Sequence, residues 1–318
     1  MTNNPDFLAW AIDAQGLVKE FDGARVVDGF SLRVRHGGIF GILGPNGAGK
    51  TTTLRMLLGI IEPDAGAHRL LGAVNPLKVA RYVGYLPEER GLYPTMKAAD
   101  AIAFMGALRG MPLRQGRCRA RALMEAHGLG DAIHRKVGQL SKGMAQIVQL
   151  LGTLVHEPRL VILDEPFAGL DAFNQEKFEE ILKARAKAGV TVLFSTHVIA
   201  HAERMCDEIA IIAAGKDIFT GTVDEARSRL PQQVHLETRA ATGPWQKAIP
   251  ADAHIDGREW CFNLPEGGVE PLLRALIDGD AGIIALSIER PSLHDAFLAI
   301  TEASARERVT IRAEGRGL

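Results

Sequence analysis

Short apolar runs of about strand length, closed by glycine or polar residues, recur at Ile39–Leu43, Leu160–Leu163, Val190–Phe194 and Glu208–Ala213. Apolar on both faces, they predict strands buried in a mainly parallel sheet. Helical patterns fall between them, at Thr51–Leu58 and Gln175–Ala188, so strands and helices alternate and an α/β layered core is expected. From about Ala11 to Val34 apolar and polar positions alternate, which predicts antiparallel strands. Between about Tyr93 and Gln139 no strand-like run occurs. Helical stretches at Ala98–Leu108 and Leu113–His127 instead predict a helical insertion, about residues 93–140, between two halves of the sheet domain.

The pattern changes after about Arg229. Leu230-Pro231 ends a helical segment; Val234–Glu237, Trp260–Leu264 and Ile283–Ile288 read as short strands, and Val269–Ile277 and Ser292–Thr301 as helices. The expected organisation is therefore a domain over residues 1–229, a smaller α+β unit over 230–304, and a charged, frayed tail over 305–318.

Composition narrows the possible functions. A formal net charge of −1 lacks the basic excess of a nucleic-acid binder, and no nucleic-acid partner is expected. Cys118, Cys206 and Cys261 lie far apart without CxxC spacing, which argues against a zinc site or a disulfide framework. No stretch approaches the ~18 apolar residues that span a bilayer. The amino-terminal stretch, MTNNPDFLAWAIDAQG, has an acid in place of a basic n-region, so no signal peptide is expected. A soluble chain is expected, with any membrane role exercised through a partner.

Gly44-Pro45-Asn46-Gly47-Ala48-Gly49-Lys50-Thr51 fits G-x-x-x-x-G-K-[ST] at every fixed position, between a strand pattern and a helix pattern. The glycines let successive backbone N–H groups turn inward onto phosphate oxygens, and the following helix adds its positive end. Lys50 is placed for the β- and γ-phosphates, the Thr51 hydroxyl for Mg²⁺ and Thr52 for the α-phosphate. Downstream, Leu160–Leu163 runs into Asp164-Glu165, two carboxylates beyond a buried strand, where ligands of open α/β sheets sit. Asp164 suits Mg²⁺, and Glu165 can polarise a water for in-line attack.

Leu140-Ser141-Lys142-Gly143-Met144 resembles the LSGGQ signature of ABC ATPases. Ala168-Gly169-Leu170-Asp171 resembles their D-loop, Ser195-Thr196-His197 their H-loop, and Phe21 stands where the family has an adenine-stacking aromatic. The resemblance covers about Gln15–Arg229 with every motif in order. It implies a P-loop NTPase fold of the ABC nucleotide-binding kind: a mixed sheet core, an antiparallel β part and a helical subdomain, here with a small C-terminal α+β domain. It also implies ATP and Mg²⁺, and two copies facing head to tail. Ser141 and Gly143 of one copy would then complete the site built by Lys50 and Glu165 of the other. His197 would bond the γ-phosphate and orient the water, and Asp171 would couple the two sites. Two plainer roles stay open, Phe21 as a strand core residue and Asp171 as a helix N-cap.

Two departures mark a subgroup. Where the family has its Q-loop glutamine, the segment Val83–Arg90 offers Glu88, which keeps an oxygen ligand for metal and adds a charge. Lys142 and Met144 replace glycine and glutamine in the signature. LPEERGLYP and LSKGM resemble the ATP-binding subunits of ABC-2-type exporters, including the sodium-export-like group, and Arg290–Leu298 resembles the accessory domain found there. The implied partner is an ABC-2-type transmembrane permease, with this chain peripheral on the cytoplasmic face of the cell membrane. The C-terminal unit would be an interaction or dimer-stabilising part, or a plain extension of the core. A soluble ABC factor on ribosomes or DNA is disfavoured by the single cassette and the lack of long coiled coils. A small-molecule P-loop kinase would not need the LSKGM or STH elements.

Overall fold

The alternating amino-terminal segment folds as β1 (Trp10–Phe21) and β2 (Ala24–Arg35). They turn at Asp22 and Gly23, with φ of 49° and 78°, the left-handed pair that a two-residue hairpin needs. β3 (Ile39–Leu43), α1 (Lys50–Leu57) and β4 (Ala65–Leu70) follow, and β4 returns to β1 in an antiparallel sheet of order β2–β1–β4. The computed structural model describes residues 9–89 and 91–314. Residues 1–8, at the start of the stretch read for a signal peptide, and 315–318 of the expected tail lie outside them.

β5 (Val83–Leu86) precedes the helical insertion, which holds α2 (Ala98–Ala107), α3 (Leu113–Ala126) and the amino end of α4 (Lys142–Leu154). The chain then alternates through β6 (Leu160–Asp164), α5 (Ala172–Lys187), β7 (Thr191–Thr196), α6 (Ile199–Met205), β8 (Glu208–Ala213) and β9 (Lys216–Thr222). These strands form a six-stranded sheet of order β5–β6–β7–β3–β8–β9, parallel except for the last pair. β6 shows why its run is apolar throughout. Val161 and Leu163 face one core with the helices α4 and α5, while Leu160 and Ile162 face a second core with β1, β2 and α1. A strand packed on both faces has no position left for a polar residue, so the first polar pair, Asp164-Glu165, falls at its carboxyl end.

The chain divides into two compact units between Thr222 and Val223. The sequence placed this change after Arg229. The difference is α7 (Val223–Arg227), whose buried Val223 and Ala226 belong to the second unit, where α7 packs on α9. That unit continues with β10 (Gln233–Thr238), β11 (His254–Asp256), β12 (Glu259–Asn263), α8 (Val269–Asp278), β13 (Ile283–Glu289) and α9 (Leu293–Glu314). Its antiparallel sheet has the order β11–β12–β10–β13, over a core centred on Trp245 and Trp260, edge to face at 5.0 Å. Where a frayed tail from residue 305 was expected, α9 runs on to Glu314. Ala, Arg and Glu dominate that stretch and are strong helix formers, and Glu302–Arg306 adds an i,i+4 ion pair.

Candidate functional site

β3 is buried throughout and delivers the chain to Gly44 at the carboxyl edge of the sheet. A Cβ on Gly44 would stand 2.5 Å from the Ile212 carbonyl oxygen of β8, so only glycine lets the loop leave so close to its neighbour. Gly49, with φ of 99°, caps α1 in the left-handed region, and a Cβ there would meet the Val26 carbonyl oxygen at 2.6 Å. Pro45 accepts the Ala48 N–H at 3.2 Å, tightening the loop. The first-turn amides of α1 have no helical acceptor behind them, and the residues that carry them, Lys50, Thr51 and Thr52, line a common cavity. Lys50 is buried; its Nζ donates to the carbonyls of Gly44 (2.8 Å) and Pro45 (3.2 Å).

The acidic pair closes the opposite wall. Asp164 is fully buried, and its Oδ1 accepts from the hydroxyls of Thr51 (3.1 Å) and Ser195 (2.6 Å). Its Oδ2 is buried with no hydrogen-bond partner. Glu165 adopts φ of 44°, a left-handed conformation that costs energy for a residue with a Cβ. Its N–H is held at 3.0 Å by Ser195 Oγ, which explains how the strain is sustained. The carboxylate is aimed back over the loop: Oε2 stands 2.9 Å from His197 Nδ1. Lys50 Nζ lies 3.2 Å from Oε1, at ion-pair distance, yet Oε1 accepts no aligned hydrogen bond.

These groups line one cavity of about 370 Å³, walled by Asn46, Gly47, Gly49, Lys50, Thr51, Thr52, Glu88, Glu165 and His197. Gly44, Pro45 and Ala48 lie behind that wall as the turn that shapes it. A larger cavity, about 480 Å³, lies on the sheet of the second unit beside His235, His254 and Cys261. It has no glycine cradle and no buried acid pair, so the smaller cavity is the chemically equipped one. The orphaned Asp164 Oδ2 and Glu165 Oε1, the first-turn amides of α1 and a cation at Lys50 fit a polyphosphate with a hard divalent metal.

Besides Gly44, Pro45, Ala48 and the buried Asp164 behind the wall, four residues singled out in the sequence do not line this cavity. Phe21 is 43% exposed at the end of β1, with the Lys19 ammonium 5.6 Å above its ring, so it is not a strand core residue. Ser141 caps α4, its Oγ accepting the Met144 N–H at 3.2 Å. Asp171 caps α5 by accepting the Asn174 N–H at 2.9 Å. It also binds the Asn174 side-chain amide, and these bonds hold its carboxyl below the usual range. Gly143 packs against that amide, since a Cβ would stand 2.2 Å from Asn174 Nδ2. Ser141, Gly143 and Asp171 thus form one cluster apart from the cradle, joined through Asn174.

Ser195 and Asn174 were given no role by the sequence. Each is a common polar residue in a turn or at a strand end. Their importance depends on the pairing of β6 with β7, which sets Ser195 opposite Asp164, and on the approach of α4 to α5.

Known proteins bear on this arrangement. The family profile described as "ABC transporter" matches residues 27–168. The chain is 33% identical over 292 residues to the uncharacterised ABC transporter ATP-binding protein YhaQ of Bacillus subtilis, covering 89% of this chain and 95% of that protein. It is 33% identical over 316 residues to the daunorubicin/doxorubicin resistance ATP-binding protein DrrA of Streptomyces peucetius, covering 95% and 96%. A solved structure titled as an ATP binding subunit of an ABC transporter superposes with a TM-score of 0.63 at 29% identity, covering 69% of this chain and 92% of that one. With the phosphate cradle, the acid pair and the signature cluster in one fold, and with relatives matching along almost its full length, the chain belongs to the ATP-binding proteins of ABC transporters.

Proposed function

We propose that this chain binds and hydrolyses ATP with Mg²⁺ at the 370 Å³ cavity and so drives export through an ABC-2-type membrane permease. Family members are ATPases that power transport through a permease and usually act as dimers. The finer assignment draws on DrrA and on the linearmycin resistance ATP-binding protein LnrL of Bacillus subtilis, 29% identical over 310 residues. No helix among the described residues is long and apolar enough to cross a membrane, which agrees with a peripheral subunit on the cytoplasmic face.

The role proposed for each residue draws on its contacts and on the resemblance to ABC ATPases. Loop amides and the α1 terminus bind the phosphates, and Lys50 turns from the Gly44 and Pro45 carbonyls to the β- and γ-oxygens. Thr51, Asp164 and Glu88 would hold Mg²⁺, which supplies charge neutralisation at the phosphates when bound. Glu165 takes the proton of the attacking water, and His197, 2.9 Å from its carboxylate, orients that water and the γ-phosphate. Ser141 already accepts a helix amide, so its hydroxyl proton remains to donate to a phosphate oxygen of the facing copy. Asp171 would link the two sites, and Phe21 would stack on adenine.

The observation that carries this reading is the convergence of Lys50, Thr51, Glu165 and His197 on one cavity. Glu165→Gln tests it. The variant is expected to bind ATP, dimerise, and turn over at least about a hundredfold slower. Recovered from native membranes with ATP, it should carry a polytopic ABC-2-type permease. Parental turnover would remove Glu165 as the base, and a ribosome-bound form with no membrane partner would remove the transport reading.

A further inference from the structure

Beneath the catalytic turn lies a buried polar cluster that the proposed chemistry does not use. Glu179 on α5 and His201 on α6 are 7% and 4% exposed. Glu179 Oε1 accepts from Arg204 at 2.6 Å and stands 3.2 Å from His201 Nδ1. Arg204 Nη2 also lies 3.1 Å from His201 Nδ1, so Glu179, His201 and Arg204 close into one polar triangle. Lys183, one turn along α5, reaches the other oxygen at 3.7 Å. Two helices are therefore pinned by one carboxylate.

The His201 ring lies flat on Phe167, with centroids 4.2 Å apart and planes 18° from parallel. Phe167 is two residues beyond Glu165 and is itself buried. It meets Phe178 of α5 at 5.4 Å and Phe194 of β7 at 5.7 Å, both edge to face. Phe194 directly precedes Ser195, the residue that holds the strained Glu165 N–H. The turn carrying Glu165 is thus clamped from two sides, by Ser195 at its start and by the His201 face at its end. α6 opens two residues after His197, so a shift of His201 would reach that residue as well.

We propose that His201, keyed by Glu179, is a positioning residue for hydrolysis: its ring is the platform that fixes the Glu165–Phe167 turn and so aims the Glu165 carboxylate at the attacking water. The proposal rests on Glu165 being the base. A base held in the wrong place costs rate, while the cradle that binds nucleotide is untouched, so the effect falls on kcat and not on KM.

Steady-state ATP hydrolysis by full-length protein tests this with two substitutions. His201→Phe keeps a flat ring on Phe167, and Glu179 keeps Arg204; kcat is expected within about threefold of the parent. His201→Gln keeps a polar partner for Glu179 but removes the stacking ring; kcat is expected to fall about tenfold, with KM for ATP within about twofold. In the Glu165→Gln background, His201→Gln should lower the residual rate no further, because a residue acting through Glu165 has nothing left to position. Three results overturn the proposal: parental kcat in His201→Gln, a matching loss in His201→Phe, or an equal further loss in the Glu165→Gln background. A slow Glu165→Gln with an unaffected His201→Gln refutes this inference alone. Parental turnover in Glu165→Gln refutes the assignment of the base together with it.

Discussion

At the scale of single residues, the metal binding proposed for the site depends on how many carboxylates reach it. Glu88 lines the cavity with Thr51 and Glu165, and Asp164 lies buried behind them, bonded to Thr51. An amide in place of Glu88 would leave two carboxylates to neutralise a divalent cation, and affinity for hard cations follows ligand charge. Glu88→Gln is therefore expected to raise the Mg²⁺ concentration for half-maximal hydrolysis about three- to tenfold while leaving ATP affinity in excess Mg²⁺ within about twofold. A Mg²⁺ titration of the rate checks this, and an unchanged midpoint would remove Glu88 from the metal site. Much at this scale was legible from local spelling alone. Gly44–Thr51 and Asp164-Glu165 each follow a buried strand, and the placement of such short motifs needs nothing beyond their neighbours. Ser195 and Asn174 were not legible, because their partners are 31 residues away, at Asp164, and in another helix, at Gly143. Their value exists only once strand order and helix approach are known.

At the scale of elements, legibility tracks burial. β3, β6, β7 and β8 carry unbroken apolar runs because both faces are covered, and the sequence shows them. β4 (AGAHRL) and β9 (KDIFTGT) are edge strands of their sheets, each with a single buried residue, and no run announces them. β5 is short and was read as part of the loop bearing Glu88. The packing of α4 on β5 has a measurable consequence. His156, just past α4, sits with Nε2 3.3 Å from the Val83 carbonyl oxygen. Burial, with a smaller push from Arg109 and against the pull of that bond, lowers its pKa to about 4. The folded pKa lies below the unfolded value of about 6.5, so the contribution is complete above that value. It is lost as pH falls from there toward about 4, where the unfolded chain binds a proton that the folded one refuses. The partial exposure of the ring limits the loss to about 2 kcal/mol. The urea midpoint is expected to drop between pH 7 and pH 4.5, and His156→Gln to shrink that drop; an equal drop in the variant would exclude His156 as a source.

At the scale of the whole molecule, the proposed pairing gives one chain half of each of two sites. The cradle and the Ser141–Gly143–Asp171 cluster lie apart within the first unit, the latter organised around the caps of α4 and α5, outside the lining of the cavity. In the sequence, only the resemblance to ABC ATPases implied that the cluster serves another copy, since a cap residue reads the same whether or not it also meets a phosphate. Complementation separates the two arrangements. Lys50→Ala breaks the cradle, and Ser141→Arg blocks the signature; each variant alone is expected to be inactive as a pair. If the site is built in trans, a mixed pair joins the intact Lys50 of one copy to the intact Ser141 of the other, and one of its two sites is whole. Equal mixing with random pairing gives mixed pairs in about half of all dimers, so activity should return to about a quarter of the parental value. If cradle and signature act within one chain, every site in every pairing contains a broken member and mixing restores nothing. The rate of the mixture, set against the sum of the separate variants, therefore decides whether Ser141 works for its own Lys50 or for its neighbour's.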